Sequence, residues 1–166
     1  MSNIMNRRST RSYTNKKVED ELIDILLRAA MAAPSAGNGQ PWNFVVIKDK
    51  DILNEITSFQ PYSKMLKEAS LAIVVCADIK NKDYHGFWVQ DCAAATENIL
   101  LMAEEIGLGA VWLGAYPNEA TIVPLSELLK LPKEIIPLSI VSIGYPKEKV
   151  KPEDRYDSSR IHIDRW

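Results

Sequence analysis

The chain has 166 residues, a formal net charge of −2, 46% hydrophobic and 25% charged side chains, and two cysteines. This balance belongs to a soluble globular chain long enough for a single domain with its own core, and it excludes disordered, collagen-like and coiled-coil descriptions of the whole. Two cysteines cannot build a disulfide scaffold or a four-thiolate metal centre, and no run approaches the ~20 apolar residues a membrane helix needs.

The charge is unevenly spread. Residues 1–17 hold five bases and no acid, 18–145 hold nine bases against 17 acids, and 146–166 hold six bases and five acids. Nucleic acid would require a broader basic surface. A small anion such as one phosphate could instead be held by a few arginines gathered from the two ends of the chain. The opening residues are polar and basic without an apolar core, unlike a secretory signal, so a cytoplasmic location is expected.

Val18, Leu22, Ile25, Leu26, Ala29 and Ala33 repeat at helical spacing behind Glu19, Asp20 and Glu21, which suit the positive end of a helix dipole. Pro34 ends that helix, and Pro34–Pro41 (PSAGNGQP) is a loop, since two prolines and two glycines break any regular element. Phe44–Ile47 reads as a short strand, and 51–57 and 62–69 as short helices. Leu71–Ala77 is a continuous apolar run of strand length, the mark of a central strand covered on both faces. From Trp88 to Ile106 apolar residues step by four and three, with further apolar positions around the helix, which predicts a long buried helix stopped by Gly107. Ala110–Leu113 is a strand, Pro124 is expected to open a short helix through Leu129, and Leu138–Tyr145 is a last core strand. The closing RIHIDRW alternates and has the character of an edge strand. The fold class is α+β, with a central mixed sheet flanked by helices.

Several chemistries find no support. Gly37-Asn38-Gly39 follows a helix, precedes a strand and lacks a third glycine, so it is no dinucleotide fingerprint. No phosphate-loop lysine motif occurs. His85 and Cys92 are seven apart on one helix and His162 is isolated, so no metal is expected. Cys76 and Cys92 read as packing residues. A chain so poor in catalytic side chains leaves the chemistry to a cofactor.

Two segments carry positive signals. Arg7-Arg8-Ser9-Thr10-Arg11 offers three guanidiniums and two hydroxyls in five residues, yet alone it reads first as a solvated basic terminus. In Pro34–Trp42 the amides of Asn38 and Gln40, held between prolines, suit a ring edge with both donors and acceptors, or a plain structural connection. Together with Glu97–Pro117 (ENILLMAEEIGLGAVWLGAYP), Leu131–Pro146 (LPKEIIPLSIVSIGYP) and the downstream Arg155, these segments resemble, in order and over nearly the whole chain, the nitroreductase family of flavin-dependent oxidoreductases.

The resemblance implies a homodimer with FMN at the subunit interface and a domain-swapped C-terminal tail. By matched position, Arg7, Arg8, Ser9 and Arg11 would bind the phosphate, ribityl chain and pyrimidine edge of FMN, with Arg155 added to the phosphate clamp. Pro34, Ser35, Asn38 and Gln40 would reach the same FMN from the other subunit, and Leu113 and Gly114 would present backbone near its N5. The implied activity is ping-pong hydride transfer from NAD(P)H to flavin and then to a planar acceptor such as a nitroaromatic, a quinone or a flavin. Electrons from ferredoxin or flavodoxin, or flavin binding without turnover, remain alternatives. No catalytic side chain is assigned. The chain is short for the family between Ala77 and Trp88, and Tyr62, Tyr84, Phe87 and Trp88 are candidate pocket walls because aromatic rings can sandwich planar substrates. Glu153 and Asp154 stand beside Arg155 where a further base is expected.

Overall fold

The computed structural model describes residues 3–80 and 86–166. Its elements run α1 (Asn3–Asn6), α2 (Asp20–Met31), β1 (Trp42–Ile47), α3 (Lys50–Phe59), β2 (Leu71–Asp78), α4 (Trp88–Glu105), β3 (Gly109–Gly114), α5 (Glu119–Leu128) and β4 (Ile135–Gly144). The four strands form one sheet in the order β1-β2-β4-β3, and every pairing is antiparallel. The α+β class therefore holds. The parallel component expected of a mixed sheet reduces to one bridge, Ser9 to Ala110, where the N-terminal segment runs along β3.

The pleat of the sheet divides the core. From β2, Leu71, Ile73, Val75 and Ala77 face α2 and α4, while Ala72, Val74 and Cys76 face the opposite layer, with Leu53 and Ile56 of α3 and Leu125 of α5. All seven of these β2 residues are buried, which is why their sequence is apolar without alternation. The stripe of α4 that meets the sheet is Cys92, Ala95, Ile99 and Ala103, and its alanines let helix and strands approach closely. One polar pair sits in this contact: the hydroxyls of Thr96 and Ser139 are 2.9 Å apart, and Thr96 also donates to the Cys92 carbonyl at 2.7 Å. Cys76 and Cys92 are buried, and burial pushes each thiol up to about 12, away from the reactive thiolate.

Three elements depart from the sequence expectation. The stretch 62–69 forms only a 3-10 turn, Lys64–Lys67, because Pro61 lacks a donor and the chain must enter β2 at Leu71. Helix α5 opens at Glu119 rather than at Pro124. Asn118 caps it by accepting from the Ala120 N–H at 3.1 Å, and Pro124 is accommodated inside the helix. The last residues form no strand: a 3-10 turn occupies Ser158–Arg160, and residues 147–166 are exposed throughout.

Residues 9–14 are the structural hinge-pin between sheet and site. The Thr10 N–H donates to Ala110 (2.9 Å) and the Thr14 N–H to Tyr145 (2.8 Å). Between them the Tyr13 ring is fully buried, its hydroxyl donating to the Thr10 carbonyl at 2.8 Å and lying 3.1 Å from that of Ser142. Burial holds this phenol well above its ordinary pKa, so it stays a donor. Two glycines make the close approach possible. A Cβ on Gly109 would lie 2.6 Å from Thr10 Cγ2, and one on Gly144 would lie 2.9 Å from Tyr13 Cγ and Cδ1.

Candidate functional site

Arg11 leaves the N-terminal segment between these anchors and lines a cleft with Gln60, Pro61, Tyr62, Lys64, Met65, Trp112, Leu113 and Gly114. The cleft has a charged wall, Arg11 and Lys64, and an aromatic wall, Tyr62 and Trp112. Tyr62 is 79% exposed and Trp112 36%. Because β3 alternates, Trp112 and Gly114 face outward while Leu113 faces the core. The buried amide of Gln60 closes the floor by donating to the Gly114 carbonyl at 3.1 Å. Four sequence-predicted residues, Arg11, Tyr62, Leu113 and Gly114, thus come together in one concavity.

The other predicted arginines are engaged by the protein. Arg7 pairs with Glu97 of α4 at 3.3 Å. Arg8 donates to three carbonyls: Arg7 (2.7 Å), Lys151 (3.2 Å) and Glu153 (2.8 Å). Arg155 lies on the Glu153 carboxylate at 3.0 and 3.2 Å. The two ends of the chain do meet, at residue 153, but there the acid already neutralises Arg155. Of Arg7, Arg8, Arg11 and Arg155, only Arg11 makes no hydrogen bond or ion pair among the described residues. Ser9 lies in the bridge to Ala110.

The loop after α2 is separate from this cleft and tied by its own hydrogen bonds. Gly37, Asn38 and Gln40 adopt positive φ (54°, 58° and 46°), which glycine and asparagine accept readily and which for Gln40 the surroundings must hold. Ser35 Oγ accepts from the Gln40 N–H at 3.0 Å, and Asn38 Oδ1 accepts from Gln40 Nε2 at 2.9 Å. Asp91, buried in the first turn of α4, accepts from the Ala36 N–H at 3.0 Å. Asn38 Nδ2 and Gln40 Oε1 keep their remaining hydrogen-bonding capacity outward. Neither Pro34, Ser35, Asn38 nor Gln40 lines the Arg11 cleft. Asp91→Ala is expected to release the loop, costing about 1–2 kcal/mol for the lost charge-assisted bond; faster amide exchange at Ala36–Gly39 measures it, and unchanged exchange contradicts it.

Phe87 and Trp88 lie elsewhere than the Arg11 cleft. Trp88 packs edge-on against Tyr116, ring centroids 4.7 Å apart, and Phe87 is half exposed at the start of α4. Tyr84 lies outside the described residues. Sequence reasoning missed Gln60, Asp91, Lys64 and Trp112. Asp91 was visible as an acid one position from the apolar stripe of α4, and Trp112 as the outward residue of a strand. Gln60 had no periodic signal.

The family model described as the nitroreductase family matches residues 4–145. The chain belongs to the nitroreductase family. A relative from Archaeoglobus fulgidus, provisionally named NADH dehydrogenase/NAD(P)H nitroreductase, is 48% identical, with 98% of this chain and 96% of the relative aligned. A solved structure from Clostridium acetobutylicum, provisionally named an NADH oxidase, is 49% identical with a TM-score of 0.96, covering 99% of this chain and all of that one. The FMN-dependent nitroreductase of Clostridium difficile R20291 is 32% identical with a TM-score of 0.92 and 99% coverage of both chains. This nitroreductase-family chain is an oxidoreductase, and its α+β architecture is that of the solved members. No helix of the described residues is long and apolar enough to cross a membrane. Among those residues no group of three or more His, Cys, Asp or Glu side chains could hold a metal ion.

Proposed function

We propose that the chain is one FMN-binding domain acting as an NAD(P)H-dependent oxidoreductase, and that the Arg11 cleft is one half of its flavin site. The observation that carries this reading is Arg11 itself, a guanidinium with no hydrogen bond or ion pair among the described residues, beside two exposed aromatic rings and the end of β3. These residues fit FMN: a cation for its anionic parts, backbone edges at Leu113–Gly114 for its ring, and flat side chains for planar molecules on its open face. Held by Arg11 and the Leu113–Gly114 edge, FMN would supply hydride-transfer chemistry between NAD(P)H and a planar acceptor such as a nitroaromatic, a quinone or a free flavin.

The residues of the chain bind and orient. Arg11 would supply fixed positive charge to offset the negative charge that the flavin gains on reduction. Arg7, Arg8 and Ser9 fix the N-terminal segment from which Arg11 projects, and Arg155 serves a phosphate once Glu153 releases it. Tyr62 and Trp112 stack the incoming nicotinamide or acceptor.

The site is completed by a second copy in a homodimer. Asn38 and Gln40, with Pro34 and Ser35, present hydrogen-bonding groups that the cleft of their own chain does not use. The tail supports the same reading: Tyr156, Ile161, Ile163 and Trp166 are 54–101% exposed, an apolar surface that calls for burial on a partner. The test is isolation of the protein with its native cofactor. Denaturation is expected to release FMN in a 1:1 ratio to chains, and the native protein is expected to sediment as a dimer. A monomer without affinity for added FMN contradicts the reading.

A further inference from the structure

Gln60 immediately follows α3 and is 5% exposed, although a buried primary amide is costly unless its bonds are made. Its bonds are made, and they lead to both sides of the cleft. Nε2 donates to the Gly114 carbonyl at 3.1 Å, and Oε1 accepts from the Tyr62 N–H at 2.7 Å. The orientation of the amide is forced, since a carbonyl only accepts and a peptide N–H only donates. The main chain of Gln60 is fixed as well. Its N–H donates to Ile56 at 3.0 Å, and its carbonyl accepts from Ser63 N–H at 3.2 Å and Ser63 Oγ at 2.5 Å.

One side chain therefore joins the turn carrying Tyr62 to the last residue of β3, 54 positions apart in sequence. We propose that Gln60 is a positioning residue, setting the Tyr62 turn and the Gly114 peptide against the ring held in the cleft. The proposal rests on the assignment of that cleft to the flavin. Gln60 acts through the two groups it holds. An apolar side chain of equal length would fill the space but leave the Gly114 carbonyl and the Tyr62 N–H without partners. A carboxylate would keep the acceptor for Tyr62, lose the donor for Gly114, and be drawn toward Arg11 and Lys64, the cations of the same cleft. When protonated it regains the donor and reproduces the amide.

The experiment is an FMN titration, followed by flavin fluorescence, of wild type, Gln60→Met and Gln60→Glu across a range of pH. Gln60→Met is expected to bind about tenfold more weakly, because loss of the two hydrogen bonds leaves the Tyr62 turn and the Gly114 peptide free to shift. Gln60→Glu is expected to be weak when ionised and to recover toward wild type as pH falls and the carboxyl protonates, while wild type and Gln60→Met show no such recovery. A wild type that binds FMN beside two variants of unchanged affinity, or a Gln60→Glu profile parallel to wild type, overturns the proposal. Should Gln60→Met fail to fold, the acid recovery of Gln60→Glu decides alone. A wild type that binds no FMN overturns the assignment of the cleft, and the proposal with it.

Discussion

Arg11→Ala is expected to weaken FMN binding by about 1.5–3 kcal/mol, the worth of hydrogen bonds to a charged group, and so to raise Kd roughly 10- to 150-fold. Arg11 carries this expectation because its guanidinium is uncommitted. Binding it to FMN breaks no hydrogen bond or ion pair among the described residues, and removing it leaves Lys64 as the cation lining the cleft. Arg155→Ala is expected to have a smaller effect, because Glu153 already occupies that guanidinium and must be displaced before a phosphate can use it. Arg7→Ala breaks the pair with Glu97, whose members are 24% and 43% exposed, and such partly solvated pairs contribute about 0–1 kcal/mol. Fluorescence titration of the three variants checks the order. Equal affinities for wild type and Arg11→Ala would contradict it.

Gly144→Ala is expected to destabilise the fold by about 2–3 kcal/mol, at the upper end of the cost of overfilling a packed core. The added methyl would meet Tyr13 Cγ and Cδ1 at 2.9 Å, and the ring has no room to retreat: it is fully buried and tethered by its hydroxyl to Thr10. Displacing the ring also disturbs the segment that carries Arg11, so affinity for FMN should fall with stability. Urea unfolding measures the effect. Adding Tyr13→Leu to Gly144→Ala should recover part of the loss, since the two changes share one space and cannot be additive. An unchanged midpoint for Gly144→Ala contradicts the packing described for this segment.

Much of this fold was legible because its signals are local. The apolar run 71–77 and the stepped apolar residues of α4, closed by Gly107 at φ 78°, specify their elements without knowledge of their neighbours. Helix α5 starts five residues before Pro124 because the side chain of Asn118 caps it, a stronger start signal than a proline that an established helix can accommodate. The 62–69 segment lost its helix to a tertiary demand, the tight entry into β2. Antiparallel pairing throughout the sheet was not legible, since it depends on which strands become neighbours, and β2 pairs with β4 rather than with the next strand in sequence.

The site was legible in the same uneven way. Arg11, Leu113 and Gly114 stood in recognisable segments and meet in the cleft. Gln60 and Asp91 act through single long-range hydrogen bonds, to Gly114 and to Ala36, that leave no periodic trace. Nor did the sequence reveal that Arg7, Arg8 and Arg155 are held by Glu97, by the carbonyls of residues 7, 151 and 153, and by the Glu153 carboxylate.

The most direct test is the anaerobic visible spectrum of the purified, FMN-loaded protein before and after NADH or NADPH, followed by a planar acceptor such as a quinone. The expected result is bleaching of the flavin bands by a nicotinamide and their return when the acceptor is added. Flavin bands that persist with both nicotinamides would contradict NAD(P)H as the electron donor.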